Sequence, residues 1–324
     1  MVEWSSLLVS KVTISAVAIT AAIVAAVVLL SKRKLQKKFE LVGQVSALNC
    51  YPIKSCGGIT NNVGFCTVSG IRMSNAIDRH FVIVRPNGDF VTQRQIPLLA
   101  GVKISTDSHD LVLNANDMPE IRVPLQPKLD RKKVVPCRVW KRQLEAQDCG
   151  QEVASWISEY VKEDLKLLVL VPGLELRQSP TTNAISKDQV AFPDESPYHL
   201  ATEESLTDLQ SRIAKSPDGL ITMNNFRPNI VIKGTSKPWD EDTWLYLKIG
   251  KNLRMRVLAP CDRCLLTTVN PEKYARRGDD EPLKTLRGFR MFPELSKSPM
   301  FGIFAGVDVE NTVRVGDPVY ALRK

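Results

Sequence analysis

The sequence predicts a mainly β protein with a few α-helices, preceded by one transmembrane helix. Short runs of alternating apolar and polar residues, separated by turn signals, extend from Leu41 to about Gln147 and return after residue 229. An uncharged run, Val12–Leu30, stands before them. The 324 residues allow two domains, at roughly 100–200 residues each. We therefore expect an anchor in residues 1–40, a first β-rich domain in 41–175 and a second in 176–324.

The N-terminal run has the properties of a membrane signal anchor. At about 1.5 Å per residue, its helical length approaches the roughly 30 Å of bilayer hydrocarbon. Five basic residues follow it in SKRKLQKK and only Lys11 precedes it, so the positive-inside rule places the body of the chain in the cytosol. Moderate hydrophobicity with a basic C-terminal flank is typical of single-pass anchors of the mitochondrial outer membrane. The endoplasmic reticulum or peroxisome membrane is the alternative address.

Charge and cysteine content exclude several classes of protein. The net charge is +9, but nearly half of the excess flanks the apolar run, so a nucleic-acid-binding surface is not expected. Seven cysteines are an odd number in a long chain, which argues against a disulfide framework. No heptad pattern or internal repeat is present, and we expect a monomer.

In the first domain the clearest element is a hairpin. Residues 81–92 hold two β-rich runs joined by Asn87-Gly88, a favoured pair for a tight hairpin turn. Residues 149–161 change to helical spacing. The apolar side chains of this helix share one face: Val153, Trp156, Ile157, Tyr160 and Val161. The sequence LLVLV at 167–171 predicts a buried strand, and the polar residues 173–190 predict a linker or surface loop.

In the second domain a helix begins near Thr202, whose hydroxyl can cap it. Its inner face would carry Leu206, Leu209 and Ile213. Further strands are predicted at 229–233, 243–249, 253–258, 264–269 and 312–322.

Several common catalytic motifs are absent from the sequence. It has no G-x-x-x-x-G-K-[ST] loop, no strand-linked G-x-G-x-x-G and no G-x-S-x-G elbow, so it carries no nucleotide or nicotinamide fingerprint of its own. The three histidines, His80, His109 and His199, are far apart and no H-E-x-x-H occurs. A histidine-rich metal centre is therefore not expected.

The sharpest chemical feature is the pair Cys261-Asp-Arg-Cys264. No second pair at zinc-ribbon spacing accompanies it, and the following Leu-Leu-Thr-Thr-Val predicts a strand where a thioredoxin-type site has a helix. One cysteine would then lie at a strand end beside Arg263, whose charge favours the thiolate. A thiolate can ligate a soft or redox-active metal. A buried structural cysteine is the other interpretation.

Two more clusters bring charged and polar groups. Lys54 and Ser55 precede two glycines in the first β region, and the segment NFRPN precedes a strand. Pro228 stiffens the second turn, from which Arg227 and Asn229 project. Lysine, serine, arginine and asparagine together suit an anion and the edge of a heterocycle. Each cluster alone is also compatible with an ordinary surface turn.

These motifs together resemble the MOSC family and, within it, the amidoxime-reducing components. The resemblance extends from about residue 43 to 322, through YPIKSC, DRHFVIV, VTQRQIP, DCGQEVASWI, DESPYHL, NNFRPNIVI, APCDRCLLTTVNP, KSPMFG and VRVGDPVY. It implies an N-terminal MOSC β-barrel-like part followed by a C-terminal MOSC β-barrel domain. It also implies a molybdenum cofactor, a pterin with a dithiolene and a terminal phosphate.

The resemblance assigns roles to nine residues. The metal ligand, the second cysteine of the family's C-x-R-C motif, falls on Cys264. The implied cofactor contacts are Lys54, Ser55, Arg79, Ser196, Arg227, Asn229, Arg263 and Cys264. Asp194 is the candidate acid, with a simple turn carboxylate as the alternative. Glu195 departs from the family pattern, where a small hydroxyl residue is expected.

The implied function is the reduction of N-hydroxylated substrates such as amidoximes, hydroxylamines and N-oxides. Converting N–OH to N–H needs two electrons, two protons and an oxygen acceptor. In the family, electrons pass from NADH through cytochrome b5 reductase and cytochrome b5. Two alternatives stay open: a MOSC-type sulfur carrier that uses a persulfide on Cys264, and a membrane-anchored scaffold with a vestigial pocket.

Overall fold

The computed structural model describes residues 38–324, which are mainly β-strand. The strands in chain order are β1 (Glu40–Cys50), β2 (Ile59–Thr60), β3 (Val63–Thr67), β4 (Gly70–Met73), β5 (Ala76–Ile77), β6 (Phe81–Val84), β7 (Lys103–Thr106), β8 (Asp110–Asn114), β9 (Ile121–Pro124), β10 (Val134–Val139), β11 (Arg142–Asp148), β12 (Lys166–Val169), β13 (Arg177–Gln178), β14 (Gln189–Val190), β15 (Tyr198–Thr202), β16 (Ile230–Lys233), β17 (Trp244–Ile249), β18 (Leu253–Asp262), β19 (Val269–Asn270), β20 (Ala275–Arg276), β21 (Met300–Val309), β22 (Asn311–Arg314) and β23 (Pro318–Arg323).

Helices are few and short in this part of the chain. The α-helices are α1 (Gln151–Val161), α2 (Glu203–Arg212), α3 (Met223–Phe226) and α4 (Leu283–Arg287). Short 3₁₀ helices occupy Pro97–Gly101, Arg131–Lys133, Asp240–Thr243 and Leu265–Thr268. None of the helices within residues 38–324 combines the length and apolar character needed to span a bilayer. The predicted span, 12–30, lies outside the described residues.

A closed seven-stranded barrel forms the centre of the fold. Its strands follow the order β16-β15-β21-β18-β17-β23-β1, and β1 pairs again with β16 to close the ring. Closure removes the exposed edges of the sheet, which would otherwise invite pairing with other chains. Alternate side chains from different strands fill the core, as Leu200, Met255 and Ile303 show.

Strand β1 connects the two ends of the described chain. Its residues pair with β23 at Leu41–Tyr320 and with β16 at Leu48–Ile230. The first strand of the predicted domain 41–175 therefore completes a sheet whose other six strands come from residues 176–324. The boundary near residue 175 stays a prediction.

Strands outside the barrel form three smaller sheets. Their strand orders are β10-β11-β12-β6, β22-β3-β4-β5 and β7-β8-β9. Helix α1 packs on the core through Val153, Trp156 and Ile157, which confirms the predicted apolar face. Strand β12 confirms the buried strand predicted at 167–171, with bounds that differ slightly.

The predicted hairpin at 81–92 is confirmed only at its turn. Gly88 has φ 83°, and the Arg85 amide donates to the Asp89 carbonyl at 2.8 Å. The second run forms a single bridge between Val84 and Phe90 instead of a strand. The run stops because Thr92 begins a turn, where its amide donates to the Gln95 side chain at 3.0 Å.

The second half of the chain follows the prediction in part. Thr202 caps α2, and β16, β17 and β18 occupy the predicted runs. The predicted strand at 264–269 is wrong because residues 265–268 form a 3₁₀ helix. There the Thr267 and Thr268 hydroxyls donate to the carbonyls of Cys264 and Leu265, at 2.9 and 2.8 Å.

Two strand patterns in the second half also differ from the prediction. Strands β15 and β21 lie in segments for which no strand is predicted, and the predicted run 312–322 is two strands, β22 and β23. A turn at Gly316, with φ 89°, separates them. The predicted loop 173–190 carries the short β13–β14 ladder.

Candidate functional site

A cleft of about 220 Å³ gathers all nine sequence-predicted site residues. They are Lys54, Ser55, Arg79, Asp194, Ser196, Arg227, Asn229, Arg263 and Cys264. They come from the segments after β1, before β6, between β14 and β15, after α3 and after β18. Residues separated by about 200 positions in sequence therefore meet at one site.

The backbone around this cleft is held in an uncommon conformation. Four lining residues other than glycine have left-handed φ values: Ser55 at 70°, Arg79 at 49°, Trp140 at 57° and Arg227 at 56°. Each such residue costs of the order of 1 kcal/mol or more, and such residues concentrate at functional sites. Three of the four belong to the predicted set.

Lys54 and Asp194 form an ion pair at the cleft, in which Lys54 is buried and Asp194 is partly exposed. The Lys54 ammonium also donates to the Phe192 carbonyl at 2.8 Å. Burial lowers the pKa of Lys54 to about 8, although Asp194 opposes that shift. Burial alone would raise the pKa of Asp194, but the charges of Lys54 and Arg94 hold it well below its usual range.

Asp194 is therefore an ionised hydrogen-bond acceptor in this arrangement. Besides its ion pair, it accepts the Trp140 indole N–H at 3.0 Å. A proton donor needs a proton at working pH, and this carboxylate holds none there. The predicted acid role of Asp194 would require the pair with Lys54 to open.

Asp78, which is fully buried, holds two residues of the cleft, Arg79 and Asn229, in place. Its carboxylate pairs with Arg79 and accepts the Tyr51 amide at 2.8 Å and the Asn229 side-chain N–H at 2.9 Å. The Asn229 side-chain oxygen, Oδ1, accepts the His199 backbone amide at 3.1 Å. Ser196 donates to the Ala305 carbonyl at 3.0 Å. Asn229 and Ser196 thus form hydrogen bonds within the protein, and these bonds shape the cleft.

Arg227 is a buried cation with spare hydrogen-bonding capacity. Its guanidinium lies 4.1 Å from the Tyr51 ring centroid, and one terminal nitrogen, Nη2, has no partner within residues 38–324. Burial lowers the pKa of Arg227 to about 10. A buried charge without a partner is costly, so this group favours an anionic ligand.

The two cysteines of the C-x-x-C pair have different surroundings. Cys261 is buried and accepts the Arg263 guanidinium at 2.7 Å, and burial raises the pKa of its thiol to about 12. Cys264 is exposed at the cleft and accepts from Arg94 Nη1 at 3.3 Å. The expectation that Arg263 assists Cys264 is corrected: Arg263 contacts Cys261, and Arg94 contacts Cys264.

Arg94 and Trp140 are site residues that sequence reasoning missed. The Arg94 guanidinium lies 4.7 Å from the Trp140 ring centroid and 3.6 Å from the Asp194 carboxylate. It therefore joins the thiol, the carboxylate and the aromatic ring. In the sequence, Arg94 is marked only by its place in VTQRQIP, one of the segments that resemble the family.

Glu195, the departure from the family pattern, also lines the cleft. Within the described part of the chain its carboxylate has no hydrogen bond or ion pair. Burial, and then the charges of Asp262 and Asp194, raise its pKa. The raised pKa favours the protonated form of Glu195 more than the Asp194 surroundings favour that of Asp194.

The donor set suits a metal that arrives on an anionic organic cofactor. No group of three or more His, Cys, Asp or Glu side chains within residues 38–324 could hold a metal ion by itself. The cleft instead offers one exposed thiol and three buried guanidinium nitrogens, on Arg94, Arg227 and Arg263, that have no partner among the described residues. The residues present therefore fit a cofactor with a phosphate and a metal open to one sulfur ligand.

Comparisons with known proteins agree with this arrangement. Residues 42–164 match the MOSC N-terminal beta barrel domain, and residues 187–320 match the MOSC domain. The YuaD protein of Bacillus subtilis covers 89% of this chain, with a TM-score of 0.40 and 8% identity. That likeness is too low to support a conclusion.

Two curated relatives are much more similar in sequence. Mitochondrial amidoxime reducing component 2 of Bos taurus is 37% identical over 295 residues, which cover 89% of this chain and 85% of the relative. Mitochondrial amidoxime-reducing component 1 of Mus musculus is 35% identical over 300 residues, or 90% of this chain and 86% of the relative. The chain therefore belongs to the MOSC-domain family, in the group formed by the amidoxime-reducing components.

Proposed function

We propose that this protein is a molybdenum-cofactor reductase of N-hydroxylated compounds, including amidoximes, hydroxylamines and N-oxides. The observation that carries the proposal is the exposed Cys264 thiol in a cleft with three guanidinium nitrogens that lack a partner in the part of the chain the structure describes. The relatives named as amidoxime reducing components, similar over about nine-tenths of the chain, support the same reaction.

The chain's own residues divide the binding of the cofactor between them. Cys264 is the group for the metal, and the free nitrogen of Arg227 is the group for phosphate or a pterin edge. Lys54 and Arg79 already have carboxylate partners, so their charge would act at longer range. When bound, the cofactor would supply a metal centre able to exchange the two electrons that reduction of an N–OH group needs.

Glu195 is the residue we assign to proton supply. Reduction of N–OH to N–H with release of water consumes two protons. The cleft holds two neighbouring carboxyl groups whose surroundings push their pKa values apart, a pattern that separates acid from acceptor. Asp194 stays ionised and orients Lys54, Arg94 and Trp140, whereas Glu195 is free to donate.

Electron supply and location complete the proposal. The chain has no nicotinamide fingerprint, so we propose that electrons arrive from NADH through cytochrome b5 reductase and cytochrome b5. The relatives are named mitochondrial, and Val12–Leu30 has the composition of an anchor, which supports the mitochondrial outer membrane with the body in the cytosol.

The test combines metal analysis with an activity assay. Purified holoenzyme should contain about one molybdenum per chain and reduce benzamidoxime when NADH, cytochrome b5 and its reductase are supplied. Cys264→Ser should lose the activity and metal, whereas Cys261→Ser, the matched control in the same motif, should keep activity. Transferable sulfur on Cys264 without molybdenum would favour the sulfur carrier. Absence of both metal and sulfur, with no activity, would favour the scaffold.

A further inference from the structure

A second cavity, of about 200 Å³, lies apart from the cleft. Its wall is mostly aliphatic and aromatic, with Phe81, Leu125, Leu170, Leu174 and Leu176 among the lining residues. Nothing in the proposed reduction uses this cavity.

The polar groups at this cavity are basic or neutral. Arg72 and His80 line it, and none of its lining side chains within residues 38–324 is acidic. Arg72 is exposed, and its guanidinium has no hydrogen bond or ion pair in the described part of the chain. The His80 ring is anchored only weakly, at 3.5 Å from the Asp78 carbonyl. An apolar chamber with a free guanidinium is complementary to an apolar body that carries one negative charge.

The volume limits the size of the ligand. Drug-sized ligands occupy pockets of roughly 300–1,000 Å³. A dry cavity of about 150 Å³ lined by Leu, Ile and Phe holds benzene. The present cavity therefore matches one aromatic ring with a short substituent, and the aromatic edge of Phe81 suits a ring partner.

We propose that this cavity is a binding site for a small aryl monocarboxylate, with the ring among Leu170, Leu174 and Phe81 and the carboxylate at Arg72. The site does not depend on the proposed reductase function. It lies next to the cleft in sequence: His80 faces the cavity, and the preceding Arg79 lines the cleft. The Leu170 amide donates to the His80 carbonyl at 2.9 Å, which fixes the wall to this segment.

The experiment is a titration of the full-length protein, in detergent, with phenylacetate. Methyl NMR should show shifts at Leu170 and Leu174, while Leu266, which lines the cleft, stays unchanged. Arg72→Met should weaken binding about tenfold or more, because it removes a charge-assisted contact and keeps the side-chain length. Arg287→Met, an exposed arginine far in sequence, is the matched control and should bind as the parent does.

Two analogues test the role of charge. 2-Phenylethanol should bind about tenfold more weakly than phenylacetate, and benzylamine more weakly still. The proposal is overturned if the alcohol binds as tightly as the acid, if Arg72→Met has no effect, or if the shifts occur at Leu266 alone. Binding at Leu266 would place the anion in the cationic cleft and would leave the reductase proposal intact.

Discussion

The cationic side chains of the cleft differ in whether the protein itself neutralises them. Lys54 and Arg79 have carboxylate partners, whereas Arg227 has a buried nitrogen with none. A buried unpaired charge costs free energy in the cofactor-free protein, and an anionic ligand recovers that cost. Ligand binding and protein stability are therefore linked at this residue.

Arg94 gives the first prediction. Arg94→Met should lower cofactor content about tenfold at limiting cofactor, because it removes the cation that contacts both Cys264 and Asp194. Arg94→Lys keeps the charge but lacks the planar fork, and should give an intermediate value. Molybdenum content and thermal unfolding of the cofactor-free forms provide the measurement. Full occupancy in Arg94→Met would show that its contacts are incidental.

Glu195 gives the second prediction. If Glu195 donates the proton, activity falls as pH rises through its raised pKa, because the proton is then lost. Glu195→Gln should lower kcat about a hundredfold with KM little changed, and should flatten that pH dependence. The assay uses a chemical reductant in place of the cytochrome, so that electron delivery is not limiting. An unchanged pH profile in Glu195→Gln would contradict the assignment.

The sequence predicts which residues line the site, but not which of them contact each other. All nine predicted residues line one cleft because each lies in a motif that a resemblance can identify. The contact between Arg94 and Cys264 joins positions 170 apart, and one sequence contains no information on such a pair. The ionisation of Asp194 depends on contacts of the same long-range kind, so the sequence does not predict its charge state either.

The N-terminus of α2 contacts the buried carboxyl group of Glu241. Thr202 and Ser205 both donate to Glu241 Oε2, at 3.0 Å, while Glu241 Oε1 has no partner within residues 38–324. Burial raises the pKa of Glu241 to about 7. The helix cap and the 3₁₀ helix that contains Glu241 are thus joined through a group that favours its protonated form.

The third prediction concerns the pH dependence of stability. A carboxyl group whose pKa rises from 4.5 to about 7 on folding binds its proton more tightly in the native state. Its contribution favours folding at low pH and is lost as pH rises from about 4.5 to 7, by roughly 3 kcal/mol. Glu241→Gln should remove this component. Urea unfolding at pH 5 and pH 8 measures it, with Glu152→Gln on the exposed face of α1 as the control.

Equal pH dependence in Glu241→Gln and the parent would show that other groups control stability in this range.

Sequence patterns predict some of the helices and strands correctly and fail for others. Helices α1 and α2 were predictable because their apolar faces and cap are local. Residues 264–269 read as a strand, yet the threonine hydroxyls bond the preceding carbonyls and tighten the chain into a 3₁₀ helix.

For the molecule as a whole, charge bears on the proposed electron partner. Residues 41–324 hold 38 basic and 33 acidic side chains, so the body is net positive. If the cytochrome proposed as the donor presents an acidic face, the two proteins attract each other at distances up to the Debye length.

The fourth prediction follows from that attraction. The cytochrome-dependent rate should fall as ionic strength rises, because the Debye length shortens to about 8 Å near 0.15 M salt. Removal of residues 1–40 should enlarge the salt effect, because a shared membrane no longer keeps the partners close. Rates measured against salt on vesicles and in solution test this. Equal rates at low and high salt in the truncated protein would exclude electrostatic docking.

Barrel closure has a consequence for how the protein is made. Strand β1 leaves the ribosome long before its partner β23, since pairs such as Leu41–Tyr320 span nearly the whole described chain. At about 5–20 residues per second, β1 waits on the order of tens of seconds for that partner. During synthesis the edges of β1 stay open to other chains. We expect the nascent protein to depend on chaperones until its C-terminus is released, and C-terminal truncations to aggregate instead of accumulating as stable fragments.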